Sequence, residues 1–339
     1  MPKINWDNIG FGYIQTDYHI RYQWKNGVWD TGTLEKNPFM KVHVAATGLH
    51  YGQSGFEGLK AFRNDSGQIH IFRPAENAKR LARTAKRVMM AEVPEALFLE
   101  AVLRVVDANR EWVPPASTGG SLYIRPLLFG SGAEVGLSPA KEYTFIVLVT
   151  PVGNYYKEGV KAITAFVSEE FDRAAPRGTG SVKVAGNYAA SLYPGQQAKE
   201  RGYPIVLYLD SSEHRYIEEF GTSNFIGIIA DKRYVTPSSP AVLPSITNLS
   251  LMSIAEHLGY KVEQRVVPFS EIDSFTEVGA CGTAVVISPI NRIVRGDKIH
   301  KISDAVGFGP NLGKLHDHLR SVQSGRLPDL WNWNVPLPL

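Results

Sequence analysis

The run GTGSVKVAGNY, residues 178–188, sets one lysine, Lys183, among small residues, with Gly178, Gly180 and Gly186 around it and Asn187 and Tyr188 close behind. A lysine that must bring its ε-amine against a flat ring needs such clearance, and the chemistry open to it is a Schiff base with a carbonyl. Further along, RYIEEFGTSN alternates as a strand, so Glu218 and Glu219 face opposite ways and one of them points inward. A buried carboxylate needs a partner, and a protonated ring nitrogen would be one. SITN at 245–248 opens a helix whose first amides, together with the Thr247 hydroxyl, form a cradle for a phosphate. ACGTAVV at 280–286 adds a second small-residue turn with Thr283 as donor.

These are parts a pyridoxal phosphate enzyme requires: a lysine for the imine, an acid for the ring nitrogen, an anion cradle, and an uncharged donor for the phenolic oxygen. Each also has an ordinary reading, as a solvated loop lysine, two exposed edge-strand glutamates, a capped helix and a glycine turn into a strand. Their combination in the order Lys, Glu, Thr, Thr lifts them above those readings.

The elements that must position these residues divide into two regions. Residues 74–90 place Ala78, Leu81, Ala82 and Ala85 on one helical face with Pro74 in the first turn, and 94–112 repeat the pattern before Pro114-Pro115. β-rich runs follow at 121–129 and 143–150. PVGNYYKEG at 151–159 carries turn residues and reads as a linker. Strands predominate beyond it, with one strong helix over 246–258 ended by Gly259. The expected division is a small N-terminal α/β domain over 1–150, a linker over 151–161 and a large C-terminal domain over 162–339 that carries Lys183. A domain junction is a usual place for a small-molecule site.

Composition narrows the classes further. The 339 residues are 44% hydrophobic and 20% charged, an ordinary globular balance. Lys+Arg 36 against Asp+Glu 33 gives a net charge of +3 and no general drive toward nucleic acid or anionic membrane. Cys281 is the only cysteine, which excludes an intrachain disulfide and a multi-thiolate metal site. His316 and His318 diverge along an apparent helix and read as exposed, so no metal is expected. GxxxxGK[ST], HExxH and GxSxG are absent, and the glycines of GSGAEVG at 130–136 have the wrong spacing for a dinucleotide fingerprint. The apolar runs are too short to span a bilayer and the opening MPKINWDNIGFGYI lacks a secretory profile, so the expected location is cytoplasmic.

The residues resemble the branched-chain amino acid aminotransferases, members of the class IV group of pyridoxal phosphate enzymes. The likeness runs through LHYGQSGFEGLKAF (49–62), AKRL (78–81), SLYIRP (121–126), EVGLSP (134–139), GSVKVAGNYAASL (180–192), EEFGTSNFI (218–226), LPSIT (243–247) and CGTAVVISP (281–289). It implies the two-domain α/β (α+β) class IV aminotransferase fold, of D-amino acid aminotransferase-like, fold type IV architecture. By the same resemblance Lys183 would carry the cofactor and shuttle the substrate proton, Tyr188 would bond the phenolic oxygen, and Glu219 would pair with the ring nitrogen. Arg80, Thr222, Ile246, Thr247 and Thr283 would complete the cofactor site. Tyr51, Phe56, Tyr123, Arg125 and Ala284 would line the substrate pocket. Val135 and Leu137 of EVGLSP would reach the pocket of a partner subunit, making the active unit a homodimer. Outside the resemblance, the three aromatics would read as core and the two arginines as solvated.

The implied reaction is reversible transamination of L-leucine, L-isoleucine and L-valine with 2-oxoglutarate, giving branched-chain 2-oxo acids and L-glutamate. The alternative within the class is a D-amino acid aminotransferase or an aminodeoxychorismate lyase. Two positions depart from the family. Ser245 stands where LPGIT often has glycine, and Val285 and Ser288 occupy the places of a CxxC pair found in some animal members, so no thiol switch is expected.

Overall fold

β-branched and aromatic runs become strands and the 3.6-residue apolar periodicities become helices, in a computed structural model that describes residues 4–6, 9–154, 159–230 and 232–338. The chain forms two units, Met1–Tyr155 with Val182–Ala185 and Val322–Leu339 in one, and Tyr156–Ser181 with Gly186–Ser321 in the other.

The first unit is built on a nine-stranded antiparallel sheet. Its main path runs Asn334–Pro336, Ile69–Phe72, Leu59–Arg63, Ser121–Gly130, Glu142–Val152, His19–Lys25 and Val28–Trp29. Ser54–Phe56 pairs with Ser121–Gly130 off this path. Helices Pro74–Arg87 and Glu95–Ala108 supply Ala78, Leu81, Phe98, Val102 and Val105 to a core shared with Ile71, Leu122, Ile124 and Phe145. The first helix stops at Arg87 rather than at residue 90, because Met89 turns to a φ of 53°, where a helix cannot continue. The second stops at Ala108, where the Asn109 side chain donates back to the Val105 and Tyr18 carbonyls.

The second unit is a mixed sheet that closes on itself. Six strands form the ring: Ile217–Phe220, Ile205–Leu209, Ile163–Val167, Val286–Arg295, Glu277–Gly282 and Ser223–Ile229, the last pairing back to the first. The ring encloses Val167, Leu207, Phe220, Phe225, Phe275 and Ile293. Two consequences depart from the sequence reading. The Ile217–Phe220 strand is buried throughout, so Glu218 and Glu219 are both 2% exposed and neither is the exposed member of an alternating pair. His316 and His318 are half-buried rather than exposed, since His316 packs on Phe308 (4.7 Å) and His318 on His257 (5.9 Å).

The two units do not follow the expected successive stretches. Val184 bridges Gly55 and the Asn334–Pro336 strand pairs with Ile69–Phe72, so both segments join the first unit. Residues 155–158 of the expected linker lie outside the described residues.

Candidate active site

In the first unit Lys183 is held by its backbone. Its N–H donates to Thr84 Oγ1 (3.0 Å) and its carbonyl accepts from the Phe56 N–H (3.1 Å). Thr84 in turn donates to the Arg80 carbonyl, so the Pro74–Arg87 helix fixes where the lysine leaves the chain. Gly55 makes this approach achievable, since a methyl group there would lie 2.5 Å from Thr84 Cγ2. The Lys183 ammonium sits 4.8 Å from the centre of the Phe56 ring, and the Arg125 guanidinium 4.9 Å from the same ring. Arg125 also donates to the Tyr123 hydroxyl (2.9 Å), while its Nε is buried without a hydrogen-bond partner. Gly58 leaves the space into which that tyrosine hydroxyl projects. Tyr51 is 43% exposed and donates to the Val135 carbonyl of its own chain. Val135 and Leu137 stand out from the surface at 77% and 89% exposure.

Arg80 is not a solvated helix residue. Its Nε and Nη2 form a fork on the two Glu57 oxygens, each at 2.7 Å, with Asn77 Nδ2 also donating to Glu57 (2.7 Å). The pair is buried, at 5% and 0% side-chain exposure.

In the second unit Glu219 accepts from Arg173 Nη1 (2.6 Å) and from the Leu243 N–H (3.0 Å), with Asn224 Nδ2 at 3.4 Å. Its neighbour Glu218 accepts from the Ser239 hydroxyl (2.7 Å), and burial pushes its carboxyl above the usual range. The Ile246–His257 helix starts at Ser245, whose hydroxyl accepts from the Asn248 N–H (3.2 Å). The serine that replaces glycine is thus an N-cap, and the Ile246 and Thr247 amides remain as first-turn donors without an intrahelical acceptor. The exposed Thr222 and the half-buried Thr283 lie on two adjacent turns, where Gly282 approaches the Thr222 carbonyl. Ala284 follows, exposed, in the second turn. Val286 closes that turn at a φ of 67°, a strained conformation for a β-branched residue. Tyr188 is half-buried on the short helix Ala185–Ala190, next to Asn187, which binds both the carbonyl and the hydroxyl of Thr179. Cys281 is fully buried and its thiol pushed far up, which keeps it protonated.

The glycines near Lys183 have reasons other than a shared clearance. A methyl at Gly180 would run into the Ala241 carbonyl, whereas one at Gly186 would meet nothing within 4 Å. The residues to which the sequence reading gave no role are Gly55, Glu57, Gly58, Thr84 and Arg173. Only the glycine pair around Phe56-Glu57 carried a local signal; the others depend on contacts across the fold.

The donor set suits a phosphorylated pyridine aldehyde. The first unit supplies an amine over an aromatic face and the buried Nε of Arg125; the second supplies a carboxylate paired with an arginine and first-turn amides at a helix start. Residues 55–293 match the amino-transferase class IV family, and the chain belongs to it. It is 45% identical over 341 residues to the branched-chain-amino-acid aminotransferase of Haemophilus influenzae, covering 99% of both chains. It is also 46% identical over 340 residues to the enzyme of that name from Helicobacter pylori, again covering 99% of both. The solved branched-chain amino acid aminotransferase of Escherichia coli superposes with a TM-score of 0.79 at 27% identity, over 95% of this chain and 100% of that one. The protein is therefore a transferase of the class IV fold, in a family of pyridoxal phosphate enzymes, as the sequence led us to expect.

Proposed function

We propose that this enzyme is a pyridoxal phosphate-dependent branched-chain aminotransferase that exchanges the amino group of L-leucine, L-isoleucine or L-valine with 2-oxoglutarate, and that it works as a homodimer. The observation that carries the reading is the shared Phe56 ring, which brings an amine and a guanidinium to one aromatic surface. An amino acid presents the same two demands, a Cα proton for a base and a carboxylate for a cation. The names of the Haemophilus influenzae and Helicobacter pylori relatives support the substrate class.

Bound pyridoxal phosphate supplies an aldehyde that condenses with amines and a ring that takes up the electrons left when Cα loses its proton. Lys183 Nζ would accept the Cα proton and deliver it to the carbon that was the cofactor's aldehyde, acting as base and then as acid. Glu219 holds the proton on the ring nitrogen, and the Tyr188 hydroxyl donates to the phenolic oxygen. Arg80, the Ile246 and Thr247 amides, and the Thr222 and Thr283 turns bind the phosphate. Phe56, Tyr51 and Tyr123 meet the aliphatic side chain, whose burial stabilises the complex by about 1.5–3 kcal/mol. Arg125, with its unmatched Nε, and the tyrosine hydroxyls meet the γ-carboxylate of glutamate, and Ala284 offers backbone to the α-carboxylate. Val135 and Leu137 of each subunit close the partner's pocket.

The test is turnover of the purified holoenzyme with 2-oxoglutarate and either L-leucine or D-alanine. The reading expects L-leucine to be consumed and to shift the cofactor's absorbance, and K183A to lose turnover by about 10²–10⁴-fold or more with its melting curve intact. Activity on D-alanine alone, or colourless protein that takes up no cofactor, overturns it.

A further inference from the structure

We propose that Arg173 is a positioning residue that holds Glu219 as a carboxylate, so that the proton shared with the cofactor's ring nitrogen stays on the ring. This rests on the reading above, in which Glu219 meets that nitrogen. Arg173 Nη1 lies 2.6 Å from Glu219 Oε1, and both side chains are only 3% exposed. The same oxygen accepts from the Leu243 N–H (3.0 Å), and Oε2 faces Asn224 Nδ2 (3.4 Å). That amide cannot readily turn its oxygen to the carboxyl, because the same Nδ2 donates to the Leu243 carbonyl at 2.9 Å. These three groups are donors, and donors bind the ionised form.

Charge makes the same choice more strongly. A proton moved from the ring to Glu219 approaches a guanidinium that water does not screen, and it also leaves that guanidinium buried without a counter-charge. Arg173 Nε is buried without a partner, its only other hydrogen-bond acceptor among the described residues is the Ala241 carbonyl, at 3.5 Å from Nη1, and its charge reaches Glu218 only as a minor influence beside burial. Glu218 is the internal comparison, since it lies on the same strand, is as deeply buried and is met by the Ser239 hydroxyl. Adjacent carboxylates are thus set to different tasks by what faces them. The strand Ile217–Phe220 and the segment carrying Leu243 hold Glu219 in place, and Arg173 decides its charge.

Holoenzyme loaded with pyridoxal phosphate carrying the heavy nitrogen isotope in its ring reads the proton directly, because the nitrogen resonance separates protonated from unprotonated rings. Wild type, R173K, R173Q and E219Q are compared at neutral pH. The expected result is a protonated ring in wild type and R173K, and a resonance shifted toward the unprotonated position in R173Q, with no such shift from loss of folding when melting curves are matched. An R173Q resonance that coincides with wild type overturns the role of Arg173. An E219Q resonance that coincides with wild type instead overturns the placement of Glu219 at the ring. Should R173Q fail to fold, infrared difference spectra of wild type against E219Q decide: a protonated-carboxyl band that E219Q lacks overturns the proposal, and its absence upholds it.

Discussion

Asp210 accepts from the Tyr216, Glu213 and Arg215 amides and from the Ser212 hydroxyl, which closes the turn between two strands of the ring. Burial alone would push its carboxyl up, but these four donors together hold it down at about 2, against an ordinary 3.8. A group depressed in the folded state stabilises the fold above its unfolded value and loses that contribution as pH falls toward the folded one. Stability should therefore drop by on the order of 2 kcal/mol between about pH 4 and pH 2 through this residue, and D210N should flatten that part of a urea-denaturation series. The Glu57–Arg80 fork gives a second residue-level expectation. E57Q removes the counter-charge of a buried guanidinium, so unfolding should become easier by about 3–5 kcal/mol, whereas breaking an exposed pair such as Lys79–Glu76 should leave the denaturation midpoint nearly unchanged. Lys183 could be singled out from its own neighbours in the chain. Its anchors could not, because Thr84 lies 99 residues away and enters only through the folded backbone.

Glycines in one short segment separate packing from flexibility. Gly180 abuts the Ala241 carbonyl, so G180A should destabilise by about 1–3 kcal/mol, the usual range for overfilling a packed site. Gly186 sits in open space at the start of the Ala185–Ala190 helix, so G186A should be neutral or stabilising by up to about 1 kcal/mol. Thermal melts of the two variants check both signs at once; equal destabilisation would mean that clearance near the lysine, and not packing, is what these glycines supply. At this scale the helices were legible, since the Pro74–Arg87 face and the helix start at Ser245 follow from periodicity and capping. Their ends were less so, because Met89 and Asn109 stop helices by a backbone turn and a side-chain bond that periodicity does not encode. The exposed partner expected of the Glu218–Glu219 pair is missing for a tertiary reason: both faces of the strand are covered, Glu218 meeting Ser239 and Glu219 meeting Arg173 and Leu243.

Across the whole molecule, the proposed exchange of Val135 and Leu137 between subunits makes two inactive variants complementary. K183A keeps a sound loop and L137D keeps a sound lysine, so a mixed dimer holds one competent pocket. Random reassembly of the two should restore about a quarter of wild-type activity, measured after mixing and refolding, and no recovery would argue that each chain completes its own pocket. The fold class could be read from whole blocks of sequence, but the grouping of Val182–Ala185 with the first unit could not, because pairing between Gly55 and Val184 leaves no local trace. The Asn334–Pro336 strand has a related effect on synthesis. As the chain leaves the ribosome, Ile69–Phe72 emerges early and waits with an open flank until residue 336 is made. During that interval the nascent sheet can recruit a foreign β-segment, and the final strand acts as the latch that ends the exposure.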